Sequence, residues 1–212
     1  MARIAVLLGN GVFDSNMKNY KEYVDEFIEF VNRNKVDKAI ICGGHTNPSA
    51  KLSEASSIKT YVAPRLNNNT KLLVEDKSLT ASQSIKLTKP LLKLKKTDDV
   101  SVFCNSVVAV KVMWFIMHYW FGLSRKEIEE DALNYISLYY SKRNGVDDIG
   151  KGIGRTGVLY ENVEVHPCHI QPTIEGAIAQ QLISLVDTAT LYNPQLYAKF
   201  IGATKKRYGL KK

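Results

Sequence analysis

Four short segments in the first half of the chain combine glycine with amide, hydroxyl or carboxylate side chains, and each follows a run of apolar residues. The segments are Gly9-Asn10-Gly11, Gly43-Gly44, Glu75-Asp76 with Ser78 and Thr80, and Asn105-Ser106. Glycine lets a ligand approach the backbone closely, and amides and carboxylates hydrogen-bond hydroxyl and amine groups. These residue types predict a small-molecule binding site assembled from several loops. Ser78 and Thr80 are equally suited to capping the helix that follows them.

Two further charged residues are candidates for the same site, and each has a second interpretation. Glu54 follows Ser53 at the predicted start of a helix. It either interacts favourably with the helix dipole or faces the site, where it would order a ligand hydroxyl or amine. Lys111 interrupts a long apolar run. It either extends along its helix to solvent or neutralises a bound carboxylate, a bound phosphate or the pair Glu75-Asp76.

A parallel sheet would bring such segments together, because ligands bind at the carboxyl ends of its strands. The predicted strands are Ile4–Leu8, Ala39–Cys42, Leu72–Val74, Val100–Cys104 and Val163–Val165. The first four are continuous in apolar character rather than alternating, as expected for strands buried on both faces. With helices between them, they predict an α/β, three-layer Rossmann-like fold that has a mostly parallel sheet, helices on both faces and extra C-terminal helices.

Helical patterns fill the intervals between these strands. Beyond the apolar helical face of residues 20–31, the predicted helices are Ser53–Tyr61, Ala81–Leu94 (interrupted or bent near Pro90), Val107–Phe121, Thr173–Ala189 and Pro194–Tyr208. The run from Val107 to Phe121 is too short to span a bilayer, so it predicts a buried helix and no membrane partner. No linker separates two units. We therefore predict one domain over residues 1–212, with a core in 1–122 and a helical and loop completion in 123–212.

The order of the motifs resembles the signature of the YdcF-like family, also called domain of unknown function two-one-eight. The matching segments are Leu8-Gly9-Asn10-Gly11, Cys42-Gly43-Gly44, Ser53-Glu54-Ala55 and Glu75-Asp76-Lys77-Ser78-Leu79-Thr80, within roughly residues 4 to 115. The resemblance implies a Rossmann-like fold with a ligand at these motifs. One bacterial relative binds S-adenosylmethionine, which is the cofactor that the resemblance implies, and others are linked to cell-envelope biogenesis. The family suggests an enzyme without naming its reaction.

The chain also departs from this family pattern at several positions. Gln83 and Ser84 occupy the places of the usual Glu and Asn, and Ala109 and Val110 lie where many members have His and Arg, with Lys111 the nearest basic residue. An amide can hold a ligand but cannot transfer a proton. The resemblance therefore supports a binding pocket, in which Gln83 is a ligand contact, better than it supports a reaction.

Two other patterns resemble functional motifs in composition only. The segment 166–169 contains two His and one Cys, but no second Cys or His pair has zinc-site spacing, so no metal is predicted. The segment 152–157 matches the dinucleotide fingerprint, but it follows a helix and a polar loop instead of a strand. The whole loop from Gly145 to Gly157 is therefore interpreted as a mobile lid or a plain loop.

The formal charge of +8 comes from two basic runs, which contain Lys86, Lys89, Lys93, Lys95 and Lys96, and Lys205, Lys206, Arg207, Lys211 and Lys212. The rest of the chain has a net charge of −2. A non-enzymatic nucleic-acid-binding protein that uses these runs is one alternative function, although no nucleic-acid motif supports it. An interaction module with a degenerate pocket is another.

The composition also indicates a compartment. The chain shows no signal peptide, and three cysteines without a disulfide pattern predict a cytoplasmic protein with reduced thiols. The aromatic row between Trp114 and Phe121 belongs either to the core or to a dimer face, so the oligomeric state stays open.

Overall fold

The computed structural model describes residues 1–95, 97–130, 162–170 and 174–210. The strands are β1 (Arg3–Leu8), β2 (Lys38–Cys42), β3 (Lys71–Glu75), β4 (Asp99–Asn105) and β5 (Val163–Cys168). They form one sheet in the order β3-β2-β1-β4-β5, and every pair of neighbours is parallel. The predicted α/β fold class is confirmed, because helices flank this all-parallel sheet as in a Rossmann-like three-layer fold.

The main helices are α1 (Lys18–Arg33), α2 (Glu54–Val62), α3 (Ala81–Leu92), α4 (Ala109–Tyr119), α5 (Ile174–Thr190) and α6 (Pro194–Arg207). Buried side chains of α1 and α2 pack on one face of the sheet, and those of α3 and α4 pack on the other. Helix α5 contacts α3 and α4, and α6 packs against α5. The C-terminal helices therefore extend the layer that contains α3 and α4.

Strand β1 shows why the apolar runs are continuous. Ile4, Val6 and Leu8 join the cluster beneath α3 and α4, while Ala5 and Leu7 join the cluster beneath α1 and α2. Successive side chains of a strand point to opposite faces, so a strand between two helical layers buries every residue. The central strands thus contribute to two hydrophobic cores at once.

Two helices differ in detail from those predicted from the sequence. Helix α3 is not interrupted at Pro90; it ends two residues later, where Lys93 adopts a left-handed conformation with φ 49°. The apolar run after β4 begins with a short 3-10 turn before α4, and Phe115 and Trp120 are buried in the core. Across the described ranges, every helix is too short or too polar to cross a bilayer.

Three side chains cap the helices that begin at the carboxyl edge of the sheet. The Oγ atom of Ser53 accepts a hydrogen bond from the backbone N–H of Ser56 at the start of α2. Thr80 Oγ1 accepts from the backbone N–H of Gln83 at the start of α3. Asn105 Oδ1 accepts from the backbone N–H of Val107 in the turn before α4. The loops between strands and helices are therefore held at their helical ends.

Candidate functional site

A cleft of about 380 Å³ lies at the carboxyl edge of the sheet, where the loops after β1, β2, β3 and β4 meet. Parallel strands end at the same edge, so loops that are far apart in sequence become neighbours there. The predicted site residues that line the cleft are Gly9, Asn10, Gly11, Gly43, Glu54, Ser78, Thr80, Asn105 and Lys111. The predicted residues outside its lining are Gly44, Glu75, Asp76, Gln83 and Ser106.

The Glu54 carboxylate occupies space that two glycines leave free. A Cβ atom at Gly9 would lie 2.7 Å from Glu54 Oε2, and one at Gly43 would lie 2.8 Å from the same oxygen. Gly43 also has a φ of +147°, which residues with a side chain rarely adopt. The backbone N–H of Glu54 donates to the carbonyl oxygen of Gly44 at 3.0 Å. The position of Glu54 in the cleft therefore depends on glycine at both neighbouring sites.

Glu54 is a buried acid with few hydrogen-bond donors around it. Its side chain accepts a hydrogen bond from Thr46 Oγ1, and the residue is 7% exposed. Burial raises the pKa of Glu54, while hydrogen bonds from the Thr46 hydroxyl and the Gly11 backbone partly lower it. Ser53 caps α2, and Glu54 lies in the first turn of this helix and also lines the cleft. A carboxyl group in this environment is suited to exchange a proton or to bind a ligand donor.

Three amide side chains form a cluster in the cleft wall. Asn105 Nδ2 donates to Asn10 Oδ1 at 3.3 Å and to Gln180 Oε1 at 3.2 Å. Gln180 Nε2 donates to the same Asn10 oxygen at 3.2 Å. The backbone N–H of Asn10 donates to the Tyr20 hydroxyl, which in turn donates to the Gly11 carbonyl oxygen. The cluster links the loop after β1, the end of β4 and helix α5.

Lys111 is buried in the cleft wall, so the interpretation that it extends to solvent is wrong. Its Nζ atom lies 3.6 Å from Oδ2 of Asp187 on α5, and the two side chains are 9% and 1% exposed. Ser82 Oγ donates to the other Asp187 oxygen at 2.6 Å. Burial lowers the pKa of Lys111 and raises that of Asp187, and their mutual attraction opposes both shifts. The acid that pairs with Lys111 is thus Asp187 rather than the pair Glu75-Asp76.

Hydroxyl groups line the side of the cleft formed by the loop after β3. Ser84 Oγ donates to Ser78 Oγ at 2.9 Å, and the Thr80 and Ser82 hydroxyls lie 2.9 Å apart. Thr80 caps α3 through its hydroxyl and also lines the cleft. This side of the cleft is therefore polar but uncharged.

The acidic pair after β3 shapes its own loop instead of lining the cleft. Glu75 Oε1 accepts hydrogen bonds from the backbone N–H groups of Lys77 at 2.8 Å and Ser78 at 3.0 Å. Asp76 is exposed. Gly44 packs against the same loop, where its backbone N–H donates to the Ser78 carbonyl oxygen at 2.9 Å. The structure therefore gives Glu75 and Gly44 contacts that position Ser78.

Gln83 and Ser106 connect the rim of the cleft to C-terminal segments. Gln83 Oε1 accepts from the backbone N–H of Leu79 at 2.8 Å, and its Nε2 donates to the Tyr197 hydroxyl of α6 at 3.1 Å. Ser106 Oγ lies 3.1 Å from Nδ1 of His169, which follows β5. Both side chains make contacts that fix the surroundings of the cleft.

Several residues of the site carried no local signal in the sequence. Gln180, Ile183 and Tyr208 line the cleft, and Asp187 supports Lys111. The spacing of Gln180, Ile183 and Asp187 places them on one face of a helix, which is the pattern that could have connected them. Nothing in that pattern says which helices this face approaches.

Described members of the two basic runs lie at different edges of the sheet. Tyr208, directly after Arg207, lines the cleft at the carboxyl edge. Lys93 and Lys95 lie between α3 and the start of β4, at the other edge. Lys89 Nζ donates a hydrogen bond to the Tyr119 carbonyl oxygen at 2.7 Å. Lys93 and Lys95 are therefore apart from the C-terminal run, whereas Lys86 Nζ lies 6.0 Å from the ring centroid of Tyr197 on α6.

The remaining motifs are the segment with two His and one Cys and the glycine-rich loop. No group of three His, Cys, Asp or Glu side chains that could hold a metal is found within residues 1–95, 97–130, 162–170 and 174–210. His166 stacks on Phe103, with ring centroids 4.5 Å apart. The loop from Gly145 to Gly157 lies outside the described residues.

No protein-family model matches this chain, and neither a curated protein nor a solved structure matches it. The resemblance to the YdcF-like family, and the ligand that it implies, therefore stay predictions that rest on the motifs alone.

Proposed function

We propose that this chain binds a nucleotide-like or otherwise anionic small molecule in the cleft at the carboxyl edge of its sheet. The observation that carries the proposal is that predicted residues from four separate loops line one cleft. Its volume of about 380 Å³ falls within the range of small-molecule sites, roughly 300–1,000 Å³. S-adenosylmethionine is the first candidate ligand because the motif resemblance to YdcF-like proteins implies it.

The charges of the cleft narrow the class of ligand. Among the described lining residues, Glu54 is the one acid and Lys111 is the one base, and the other polar groups are amides, hydroxyls and backbone. Such a lining balances a ligand with one positive and one negative group better than a triphosphate, which would need several cations. S-adenosylmethionine carries an ammonium, a sulfonium and a single carboxylate, so one cation of the cleft is enough for its negative group and Glu54 is available to a positive one.

Glu54 is the residue through which a reaction in the cleft would exchange a proton. Its raised pKa brings the protonated and ionised forms closer to balance near neutral pH than in an exposed glutamate. Gln83 cannot take this part, because an amide does not titrate and both ends of its side chain are engaged elsewhere. The proposal is accordingly for a binding site with one group suited to acid–base chemistry.

The two alternatives receive less support from the contacts. For a nucleic-acid-binding protein, Lys93 and Lys95 would have to act together with a C-terminal run that lies at the other edge of the sheet. In an interaction module with a degenerate pocket, the polar groups inside the cleft would bind no ligand. Such a module gives no reason to bury Glu54, whose charged form is disfavoured by burial, as its raised pKa indicates. We propose a cytoplasmic binding protein as the function that accounts for both observations.

The test is a calorimetric titration of the purified chain with S-adenosylmethionine, adenosine and ATP. We expect saturable binding of S-adenosylmethionine, and weaker binding of ATP. Glu54→Ala should weaken binding at least about 10-fold, because it removes a hydrogen bond that involves a charged group. Glu22→Ala, which removes an exposed acid of α1, is the matched control and should bind as the unaltered chain does.

Two results would contradict the proposal. Binding of none of the three compounds would favour the degenerate pocket. Binding of a DNA or RNA oligonucleotide that falls steeply with salt, and is lost when residues 205–212 are deleted, would favour the nucleic-acid function.

A further inference from the structure

Lys111 is a buried cation whose contact with a described carboxylate is longer than a direct hydrogen bond. An ammonium group has three N–H donors, and burying it is costly unless they find acceptors. The 3.6 Å that separates Lys111 Nζ from Asp187 Oδ2 is longer than the 2.7–3.2 Å of a direct hydrogen bond. Within the part of the chain that the structure describes, Nζ donates no direct hydrogen bond to another residue, although the side chain is only 9% exposed.

Asp187, in contrast, has other partners. Its Oδ1 accepts from Ser82 Oγ at 2.6 Å, and its Oδ2 faces the backbone N–H of Ser82 at 3.4 Å. The carboxylate is therefore held by α3 independently of Lys111. This arrangement supplies a counter-charge that favours the protonated form of Lys111 and leaves N–H groups available to a ligand.

The surroundings of Lys111 in the cleft favour negative charge. Lys111 lies in the first turn of α4, and the first residue of α3, Ala81, also lines the cleft. Helix N-termini carry partial positive charge and unpaired N–H groups. Glu54, the acid of the lining, follows β2, whereas Lys111 follows β4. Strand β1 lies between these two strands, and α2 and α4 pack on opposite faces of the sheet, so the two residues reach the cleft from different elements.

From these observations we infer that Lys111 forms the oxyanion subsite of the cleft, and that the ligand presents a carboxylate or phosphate group to its Nζ atom. The inference rests on the proposed function and deepens it. It assigns the negative group of the ligand to the β4 side of the cleft and leaves the β2 side, with Glu54, to a hydrogen-bond donor or cation. Carboxylate and phosphate share the chemistry that Lys111 recognises, so the experiment must separate them.

Two pairs of compounds test the subsite by calorimetric titration. Adenosine 5′-monophosphate and adenosine differ by a phosphate group. S-adenosylhomocysteine and 5′-methylthioadenosine differ by the amino acid end, which carries an ammonium as well as the carboxylate. We expect the unaltered chain to bind the oxyanion-bearing member of at least one pair at least about 10-fold more tightly, the effect of a hydrogen bond to a charged group. Preference in the first pair identifies a phosphate site, and a preference in the second that depends on Lys111 rather than on Glu54 identifies a carboxylate site.

Three variants assign any preference to Lys111. Lys111→Met should reduce it to within about threefold of equal affinity. Because this change leaves Asp187 without its counter-charge, the double variant Lys111→Met/Asp187→Asn removes both charges and should show the same loss if the single variant does not fold. Lys86→Met changes the net charge equally at an exposed position of α3 and should keep the preference.

The outcomes separate this inference from the proposed function. If the nucleosides bind but neither pair shows a preference, or if a foldable Lys111 variant keeps the preference, the subsite is wrong and the binding function stands. If none of the four compounds binds and the titrations with S-adenosylmethionine and ATP are also negative, both are wrong.

Discussion

Lys111 on α4 and Asp187 on α5 form an ion pair in which Nζ lies 3.6 Å from Oδ2 and both side chains are almost fully buried. The two residues are distant in sequence. Their contact, together with the hydrogen bond from Ser82 to Asp187, joins three helices behind the cleft. The C-terminal part of the chain is thus tied to the α/β core through a charged group that also lines the candidate site.

Asp187→Ala should destabilise the fold by about 3–5 kcal/mol, because it leaves the buried ammonium of Lys111 unpaired. The free energy of unfolding can be measured by urea denaturation followed by circular dichroism. In Lys111→Met/Asp187→Asn no charge is left unpaired, so this variant should lose clearly less stability. A loss below about 1 kcal/mol in Asp187→Ala would show that the pair is not a structural link.

The fold could be predicted because burial on two faces leaves a local signal. Strand β1 reads as a continuous apolar run since both faces of the sheet are covered, and α1 shows its apolar face at helical spacing. The small errors lie at element ends, for example in β3, which extends from Lys71 to Glu75 rather than from Leu72 to Val74. Ends depend on capping and pairing, which hydrophobic patterns do not specify.

The site was predicted only in part, for two physical reasons. Glu75 follows β3, where a parallel sheet offers residues to a ligand, but its carboxylate instead binds backbone N–H groups of its own loop. Such local hydrogen bonds compete with binding of a ligand by the same side chain, and the order of residues in the sequence does not reveal them. Gln180 and Asp187 reach the cleft through tertiary packing of α5, which no local pattern indicates.

Gly44→Ala should destabilise the protein by about 1–3 kcal/mol, since overpacking forces the backbone to shift. A Cβ atom at this position would lie 2.1 Å from the Ser78 carbonyl oxygen, which accepts the hydrogen bond from the Gly44 N–H. Gly202→Ala is the matched control. It lies in α6 with no heavy atom within 4 Å of its Cβ position, so alanine should be neutral or stabilise by up to about 1 kcal/mol. Equal midpoints of urea unfolding for the two variants would contradict the close packing at Gly44.

Glu54→Gln should gain stability relative to the unaltered chain as the pH rises. Burial raises the folded-state pKa of Glu54 above its ordinary value of 4.5, so the folded state favours the protonated carboxyl. The contribution of this group to stability is complete below the unfolded-state pKa and is lost as the pH rises through the folded-state pKa. Glutamine keeps the shape of the neutral acid and does not titrate.

The measurement for Glu54 is the difference in Tm between variant and unaltered chain, followed from about pH 4 to pH 8. Most other titrating groups cancel in this difference. Glu22→Gln, at an exposed position on α1, should give a nearly constant difference. If the Tm of Glu54→Gln instead fell relative to that of the unaltered chain as the pH rises, the folded state would stabilise the Glu54 carboxylate.

Asn105→Asp tests the amide cluster with almost no change in shape. The Nδ2 group of Asn105 donates to the side-chain oxygens of Asn10 and Gln180, and its Oδ1 accepts from the backbone N–H of Val107. Aspartate keeps the acceptor for Val107 but places a second oxygen against two others.

We expect a loss of about 1–3 kcal/mol in the free energy of unfolding near neutral pH, the cost of unsatisfied buried polar groups. The loss should shrink at low pH, where a protonated carboxyl can donate again. Because Asn105 is 3% exposed, solvent cannot compensate. A neutral effect at all pH values would show that the donor of Asn105 does not hold the cluster together.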